Sequence, residues 1–213
     1  MKKKEYNPFD WDNISIEKYY QIYDILNDED DDDITKNVKL VAAIMEKDEQ
    51  EIWDMDLTEV GEYIGRLQFL NKFEIPKHPN LKIQLPNYTL VVLKDLTKIN
   101  IGQYVDYQNF ASRPLRESME KILSIFLIPE GHSYNTGYDI LDLQREMREN
   151  LSFRAAEGLL SFFLDRYSKL LFRSVISCRR MIRKIRNPEE KEEMRKKEKM
   201  LEEKIQDLIR LVG

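Results

Sequence analysis

The stretch Asn150–Arg186, NLSFRAAEGLLSFFLDRYSKLLFRSVISCRRMIRKIR, organises the rest of the chain. It contains no proline and one glycine, and its apolar residues recur at helical spacing from Leu151 to Ile182. The pattern predicts a long central helix of about nine or ten turns over 151–186. Its first two thirds are apolar enough to form the spine of a core. Its last third is basic, which is more typical of interaction proteins than of enzymes.

The composition indicates a helical protein with an extensive charged surface. The chain has 213 residues, 34% of them charged and 42% hydrophobic, which suits one domain with an appendage or two small domains. Only 7 glycines and 7 prolines argue against a loop-rich all-β fold. Residues 1–80 carry a net charge of -10 and residues 81–213 a net charge of +5. This asymmetry suits either head-to-tail association with other molecules or neutralisation within one chain.

Neither a disulfide framework nor a membrane segment is predicted. Cys178 is the only cysteine, and we expect it to be a small packing residue. The N-terminal MKKKEYNPFDWD has no apolar run after its lysines, so it is not a signal peptide. The apolar runs fall short of the ~18 residues that a membrane span requires. We therefore expect a protein made in a reducing cytoplasm, with no membrane contact.

The predicted fold class is mainly α with a small β-hairpin or meander insertion (α+β), a long central helix and a helical, coiled-coil-like C-terminal appendage. The predicted segments are an N-terminal arm over 1–13, a helical body over 14–150 with the β insertion at about 72–94, the central helix over 151–186 and a charged helix over 187–213. In the arm, Phe9 and Trp11 suit anchoring on the body or on a neighbouring subunit, and we favour the body.

Within the body, apolar periodicity predicts helices at about 14–26, Thr35–Met45, Glu49–Asp54, Asp56–Leu70 and Leu115–Leu127, with others beginning near Gly102 and Asp139. We expect Asn13 or Ser15 to cap the first helix and Asp56 or Thr58 to cap the fourth. Trp53 and Met55 are expected to pack at a helix joint. Three β-rich runs, Phe73–Ile75, Leu81–Leu85 and Tyr88–Leu93, predict the small sheet, with Tyr88–Leu93 as an edge strand.

The acidic clusters are the sequence features that come closest to a metal-binding or catalytic motif. The run Asp28–Asp33 is consecutive and lacks the alternating ligands and central glycine of a calcium loop, so a solvated loop is predicted, with Asp33 favouring the next helix N-terminus. The loop HSYNTGYD has no phosphate-binding glycine spacing and is predicted to be structured surface. The pairs Asp54 with Asp56 and Asp139 with Asp142 suit helix starts. We predict no catalytic residue, no cofactor and no metal site.

The C-terminal segment is highly charged but carries an apolar seam. Leu201, Ile205, Leu208 and Val212 are spaced by 4, 3 and 4 residues, as in a heptad repeat. This seam must be buried either in a hairpin with the basic helix or against copies of the chain. The hairpin is favoured because acids from Glu189 to Glu193 would then face the run Arg179–Arg186.

The segments SIEKYYQIYDIL, LVAAIMEKDEQEIWDM, EYIGRLQFL, LKDLTKINIGQYVDYQNF and ILSIFLIPEGHSYNTGYD together resemble small proteins encoded among the tail and virion genes of Bacteroides-type, crAss-like bacteriophages. The resemblance covers about two thirds of the chain and contains no catalytic motif. It implies a tail-assembly chaperone, or a structural or cargo protein of the virion, assembled in the host bacterial cytoplasm. Other virion or tail proteins would be its partners.

Three functions are thus to be weighed. The first is a non-enzymatic virion protein, expected to form homo-oligomers, whose protein contacts involve Phe162, Phe163, Tyr167, Leu201, Ile205, Leu208 and Val212. The second is nucleic-acid binding through the cations Lys169, Arg173, Arg179, Arg180, Arg183, Lys184 and Arg186. The acidic net charge and the lack of interleaved aromatic residues weigh against it. The third is an enzyme, for which the sequence offers two histidines and no motif.

Overall fold

A computed structural model describes residues 6–93, 99–111, 113–114, 117–185 and 187–212. The chain forms two compact units. The larger unit comprises Met1–Leu93 and Ile101–Leu160, and the hairpin unit comprises Lys94–Asn100 and Ser161–Gly213. Within the described residues the protein is mainly helical, with one small three-stranded antiparallel sheet.

The elements of the larger unit follow in chain order. They are α1 (Ile16–Leu26), α2 (Asp33–Met45), α3 (Glu49–Trp53), α4 (Leu57–Arg66), a 3-10 helix (Leu67–Asn71), β1 (Lys82–Gln84), β2 (Thr89–Val92), α5 (Ile101–Ala111), α6 (Met119–Phe126), β3 (Leu127–Pro129) and α7 (Ile140–Asn150). Helix α8 (Phe153–Lys184) begins in the larger unit, and α9 (Pro188–Val212) belongs to the hairpin unit.

Side-chain caps determine where the early helices begin. The Ser15 hydroxyl accepts a hydrogen bond from the Lys18 amide at 3.2 Å, and the Asp56 carboxylate accepts one from Thr58 at 2.8 Å. These contacts satisfy amides that have no partner inside the helix, and they confirm two predicted caps. Residues Asp48 and Asp139 cap α3 and α7 in the same way.

The acidic run Asp28–Asp33 forms the connection into α2, as predicted. Asp32 is its capping residue and accepts the Thr35 amide at 2.7 Å. That backbone hydrogen bond, together with the one from the Thr35 side chain, lowers the pKa of Asp32. The neighbouring Asp31 pairs with Lys39 at 2.5 Å. The acids therefore serve a helix start and an ion pair with the helix they precede.

The sheet differs from the predicted one in its third strand. β2 pairs with β1, placing Leu90 opposite Ile83, and with β3, placing Leu90 opposite Pro129. β2 is therefore the central strand, and the prediction of Tyr88–Leu93 as an edge strand is wrong. The run Phe73–Ile75 forms no strand, and its place is taken by residues predicted to end a helix. The helix stops because Leu127 turns to an extended conformation before Pro129, which cannot continue it.

Apolar side chains of α1, α2, α6 and the sheet fill the core of the larger unit. Fully buried residues include Ile16, Ile22, Ile44, Leu90, Leu123, Ile125, Leu127 and Leu143. The chain before α1 pairs with the link between α7 and α8: Ile16 donates its amide to Leu151 O at 3.1 Å and Phe153 donates to Ile14 O at 2.6 Å. This pairing places the first turn of α8 beside α1.

Of the two predictions about aromatic packing, one is confirmed and the other is wrong. Phe9 and Trp11 are buried against their own unit, which confirms the favoured interpretation of the arm. Trp53, in contrast, is 50% exposed, so its predicted packing at a helix joint is wrong. Ile52 is the buried residue of α3 instead, and Met55 is half-buried.

The loop after β3 is structured, as predicted. The Tyr134 hydroxyl donates to the Asp106 carboxylate at 2.7 Å, and the His132 ring packs edge-on against Tyr138. Gly137 has a positive φ of 84°, and a Cβ there would lie 2.7 Å from the His132 ring. Glycine is required at this position both by its backbone conformation and by the ring beside it.

Candidate interaction sites

The hairpin unit is held together by a buried apolar seam and an ion-pair network. Val175 and Cys178 from α8 and Leu201 and Ile205 from α9 are buried. Arg179 bonds to the Glu198 carboxylate at 2.7 Å and to the Glu202 carboxylate at 2.6 Å. These contacts pair α9 with the end of α8, which is the favoured hairpin. They also set its register.

The acids that pair with Arg179 are not among those predicted to face the cationic run. The prediction placed Glu189–Glu193 opposite the cationic run. Arg179 instead contacts carboxylates two and three turns further along α9. Arg179 lies more than one turn before the end of α8, so in an antiparallel hairpin it meets carboxylates that lie well inside α9.

Most side chains of the predicted protein-interaction set are inside the chain. Phe163, Tyr167, Leu201 and Ile205 are buried, and Phe162 is half-buried under the Arg166 guanidinium, 4.3 Å from its ring centre. The side chains of Leu208 and Val212 lie outside the described residues. Because the described members of this set pack within the chain, their role in contacts with other proteins stays a prediction.

The exposed apolar surface of the hairpin unit lies elsewhere. Phe172 and Ile176 are one helical turn apart on α8 and are 50% and 47% exposed. They border a groove of about 600 Å³ between α8 and α9, whose other lining residues are Val175, Arg179, Lys199, Glu202, Glu203, Ile205 and Gln206. The sequence analysis did not predict this surface. The signal was present, because α8 has two adjacent apolar residues at 171–172 and again at 175–176. Such pairs make an apolar stripe wider than one partner helix can cover.

The predicted nucleic-acid residues are only partly available. Arg173, Arg180, Arg183 and Lys184 are exposed on α8, and Lys169 is exposed but pairs with Asp165 at 2.7 Å. Arg179 is engaged by two carboxylates, and Arg186 lies outside the described residues. By sequence, residues 161–213 carry a net charge of +6, which is moderate for a helical pair rich in both signs.

The larger unit contains a second, aromatic-lined cavity of about 640 Å³. Its inner wall consists of Trp11, Tyr19, Phe73 and Phe153. The Tyr19 and Phe153 rings stack with 3.6 Å between centroids, and the Trp11 ring lies 5.0 Å from that of Phe73 and 5.5 Å from that of Phe153. The Trp11 indole is fixed by its hydrogen bond to Phe69 O at 3.0 Å.

One carboxylate lines this aromatic cavity. Glu157 lies one helical turn after Phe153 on α8 and faces the same cavity. Burial raises its pKa above the ordinary value of 4.5, and it in turn contributes to raising the pKa of Tyr19. Gly158 beside it leaves room for Pro76, which would lie 3.2 Å from a Cβ at that position. The lining also includes three exposed residues, Tyr23, Leu26 and Ile75.

A third, polar cleft links α1, α6 and α7. The Tyr20 hydroxyl donates to the buried Glu120 carboxylate at 2.9 Å, and the Arg148 guanidinium lies 5.4 Å from the centre of the Tyr20 ring. Burial first, and then Glu120, raises the pKa of Tyr20. These groups partner one another, so the cleft is a structural contact between three helices.

The carboxylate pairs named from the sequence have structural roles. Asp139 caps α7, and Asp142 pairs with Arg145 and accepts the Tyr88 hydroxyl at 3.0 Å. Asp56 caps α4, and Asp54 accepts from Gln50 at 2.9 Å. In the part of the chain that the structure describes, no three His, Cys, Asp or Glu side chains converge on a possible metal position. No described helix is long and apolar enough to cross a membrane.

A scan against protein-family models, a search of curated proteins and a search of solved structures each found no match for this chain.

Proposed function

We propose that this protein is a non-enzymatic structural or cargo protein of a bacteriophage particle, acting through protein–protein contacts during head or tail assembly in the host cytoplasm. Two lines of evidence support the proposal. One is the resemblance of about two thirds of the sequence to small phage tail and virion proteins. The other, which carries the mechanism, is the exposed pair Phe172 and Ile176 beside the hairpin groove.

The groove suits a second copy of the same hairpin. Adjacent exposed apolar side chains mark interaction sites more often than isolated ones do. The groove also carries both signs of charge, with Arg179 and Lys199 beside Glu202 and Glu203. Such a surface is complementary to itself across a twofold axis, which is the commonest symmetry of homo-oligomers. In this proposal the seam of α9 continues through Leu208 and Val212 as a short coiled-coil-like pairing.

The test is the molar mass in solution, by light scattering after size exclusion. We expect the full chain to be multimeric and the double variant Phe172→Asp, Ile176→Asp to be monomeric with unchanged helix content. Met200→Asp is the matched control, because Met200 is 45% exposed on α9 and outside the groove lining. A wild-type chain that stays monomeric at high concentration would contradict the proposed contact.

A separate test concerns the particle. Mass spectrometry of purified virions from the encoding phage should detect the chain as a component. Its absence from particles, with presence in the lysate bound to a tail protein, would favour the alternative of a tail-assembly chaperone. A gene with no neighbouring virion genes would contradict both forms of the proposal.

The exposed cations of α8 support nucleic-acid contact as a second candidate. Phosphate binding by Arg180 and Arg183 would weaken steeply with salt. Wild-type protein would then retain duplex DNA at low ionic strength, and the variant Arg180→Glu, Arg183→Glu would lose it. Equal retention by both proteins would rule out this surface. The variant Arg195→Glu, Lys196→Glu on α9 is an exposed control with the same change in net charge.

A further inference from the structure

We propose that the aromatic cavity of the larger unit binds a small organic cation, an ammonium group carried on an apolar body. The proposal is independent of the assembly role, because every lining residue belongs to the larger unit and none to the hairpin groove. The cavity volume of about 640 Å³ falls within the range of about 300–1,000 Å³ that is usual for small-molecule sites.

The wall is rigid enough to act as a preformed site. Trp11 and Phe153 are each 6% exposed, and Ile22 and Met119 beneath them are 1% exposed. The Trp11 indole is oriented by Phe69 O, and the Phe153 ring is stacked on Tyr19. A ligand therefore meets an aromatic wall that is already formed. Aromatic faces attract cations as well as apolar groups.

The charge preference comes from Glu157. Among the residues that the structure describes, this carboxylate has neither a hydrogen-bond donor nor a cationic side chain as a partner. Glu157 is half-buried, and a carboxylate that is partly withdrawn from water without a partner carries a cost that a bound ammonium group would reduce. The other titratable lining groups, Tyr19 and Tyr23, are phenols and do not supply a positive charge. An anion would therefore be disfavoured.

The experiment compares three probes of similar shape and different charge: 2-phenylethylammonium, 2-phenylethanol and 3-phenylpropanoate. The chain has two tryptophans, so Trp53→Phe leaves Trp11 as the only indole reporter inside the cavity. Titration is followed by Trp11 emission and by calorimetry. We expect the ammonium to bind at least tenfold more tightly than the alcohol, and the carboxylate to bind more weakly than either.

A carboxyl-to-amide change tests the assigned group. Glu157→Gln should weaken ammonium binding about tenfold and leave alcohol binding within about twofold of the parent. Glu149→Gln, at an exposed acid on α7, should change neither. Equal affinities for the three probes, no binding in the millimolar range, or an unchanged preference in Glu157→Gln would each overturn the proposal. If Glu157→Gln does not fold, the three probes on the parent protein still test whether the cavity prefers a cation.

A fourth probe identifies the source of the cation. N-acetyl-lysine amide presents the same ammonium group on a lysine side chain without an aromatic body. We expect it to bind far more weakly than 2-phenylethylammonium. Equal binding would overturn the small-molecule assignment and make the cavity a docking site for a lysine of a partner protein.

Discussion

The rings of Tyr19 and Phe153 lie nearly parallel, with 12° between their planes, although the two residues are separated by most of the chain. This contact joins α1 to the first turn of α8. It is also one wall of the aromatic cavity, so the stability of the larger unit and the shape of the cavity depend on the same pair.

We expect Tyr19 and Phe153 to be energetically coupled. A double-mutant cycle with Tyr19→Leu and Phe153→Leu should give a coupling of about 0.5–1.5 kcal/mol in the free energy of unfolding, the range measured for aromatic pairs. Chemical denaturation of the four proteins provides the measurement. Tyr19→Leu combined with Phe162→Leu, whose ring packs on Phe163, should be additive. Additivity for Tyr19 with Phe153 would contradict the stacking.

Removing the charge of Glu157 should stabilise the unliganded protein. Its pKa is raised in the folded state, so the folded protein holds the proton more tightly than the unfolded chain does. The stability contributed by the protonated acid is present below pH 4.5 and is lost as pH rises through the raised pKa. We expect Glu157→Gln to match the parent near pH 4 and to be more stable than the parent at pH 8.

Denaturant unfolding of the parent and Glu157→Gln at intervals from pH 4 to pH 8 measures this difference. Glu149→Gln should track the parent throughout. A difference that shrinks with rising pH would have the wrong sign. Ammonium binding should show the reverse dependence and strengthen over the same range, because the ligand pairs with the ionised acid.

The cap at the start of α2 should make part of the stability acid-sensitive. The Thr35 amide lowers the pKa of Asp32 below 3.8, so this contribution is present above pH 3.8 and is lost as pH falls through the lowered value. Asp32→Asn keeps an oxygen acceptor but does not titrate. Its unfolding curve should therefore lose less stability than the parent between pH 4 and pH 2. Asp30→Asn, which caps no helix, should behave as the parent.

Two helical glycines should respond differently to alanine. At Gly65 on α4 no atom lies within 4 Å of an added Cβ, so Gly65→Ala should raise stability by about 0.5–1 kcal/mol through helix propensity. At Gly158 the same gain is opposed by Pro76 at 3.2 Å. We expect Gly158→Ala to be at least about 1 kcal/mol less stable than Gly65→Ala. Thermal unfolding compares them, and equal gains would show that Pro76 moves aside freely.

The helices could be predicted because their signals are local. Ser15 and Asp56 are residue types that commonly cap helix N-termini, so they indicate where α1 and α4 begin. The spacing of apolar residues then indicates the helices that follow. The acidic run could be recognised as a loop and helix start for the same reason. The hairpin was also foreseeable, since an apolar seam must be buried and Pro188 interrupts the preceding helix.

The third strand and the cavity were not foreseeable. Leu127–Pro129 becomes a strand because β2 offers it hydrogen-bond partners from far along the chain, and the same residues read locally as a helix end. The cavity brings Trp11, Phe73 and Phe153 together from three distant segments. Each is an ordinary apolar residue in its own sequence context.

The amino-acid sequence by itself determined the helical character of this protein, the caps of its helices and the apolar seam of its last helix, because these follow from interactions within a few residues. Only the tertiary structure decided which strand is central, which apolar side chains stay exposed at Phe172 and Ile176, and that Glu157 faces an aromatic cavity. Those outcomes depend on contacts between distant segments. The free energy of such a contact depends on both segments, so it cannot be inferred from the local sequence of either one.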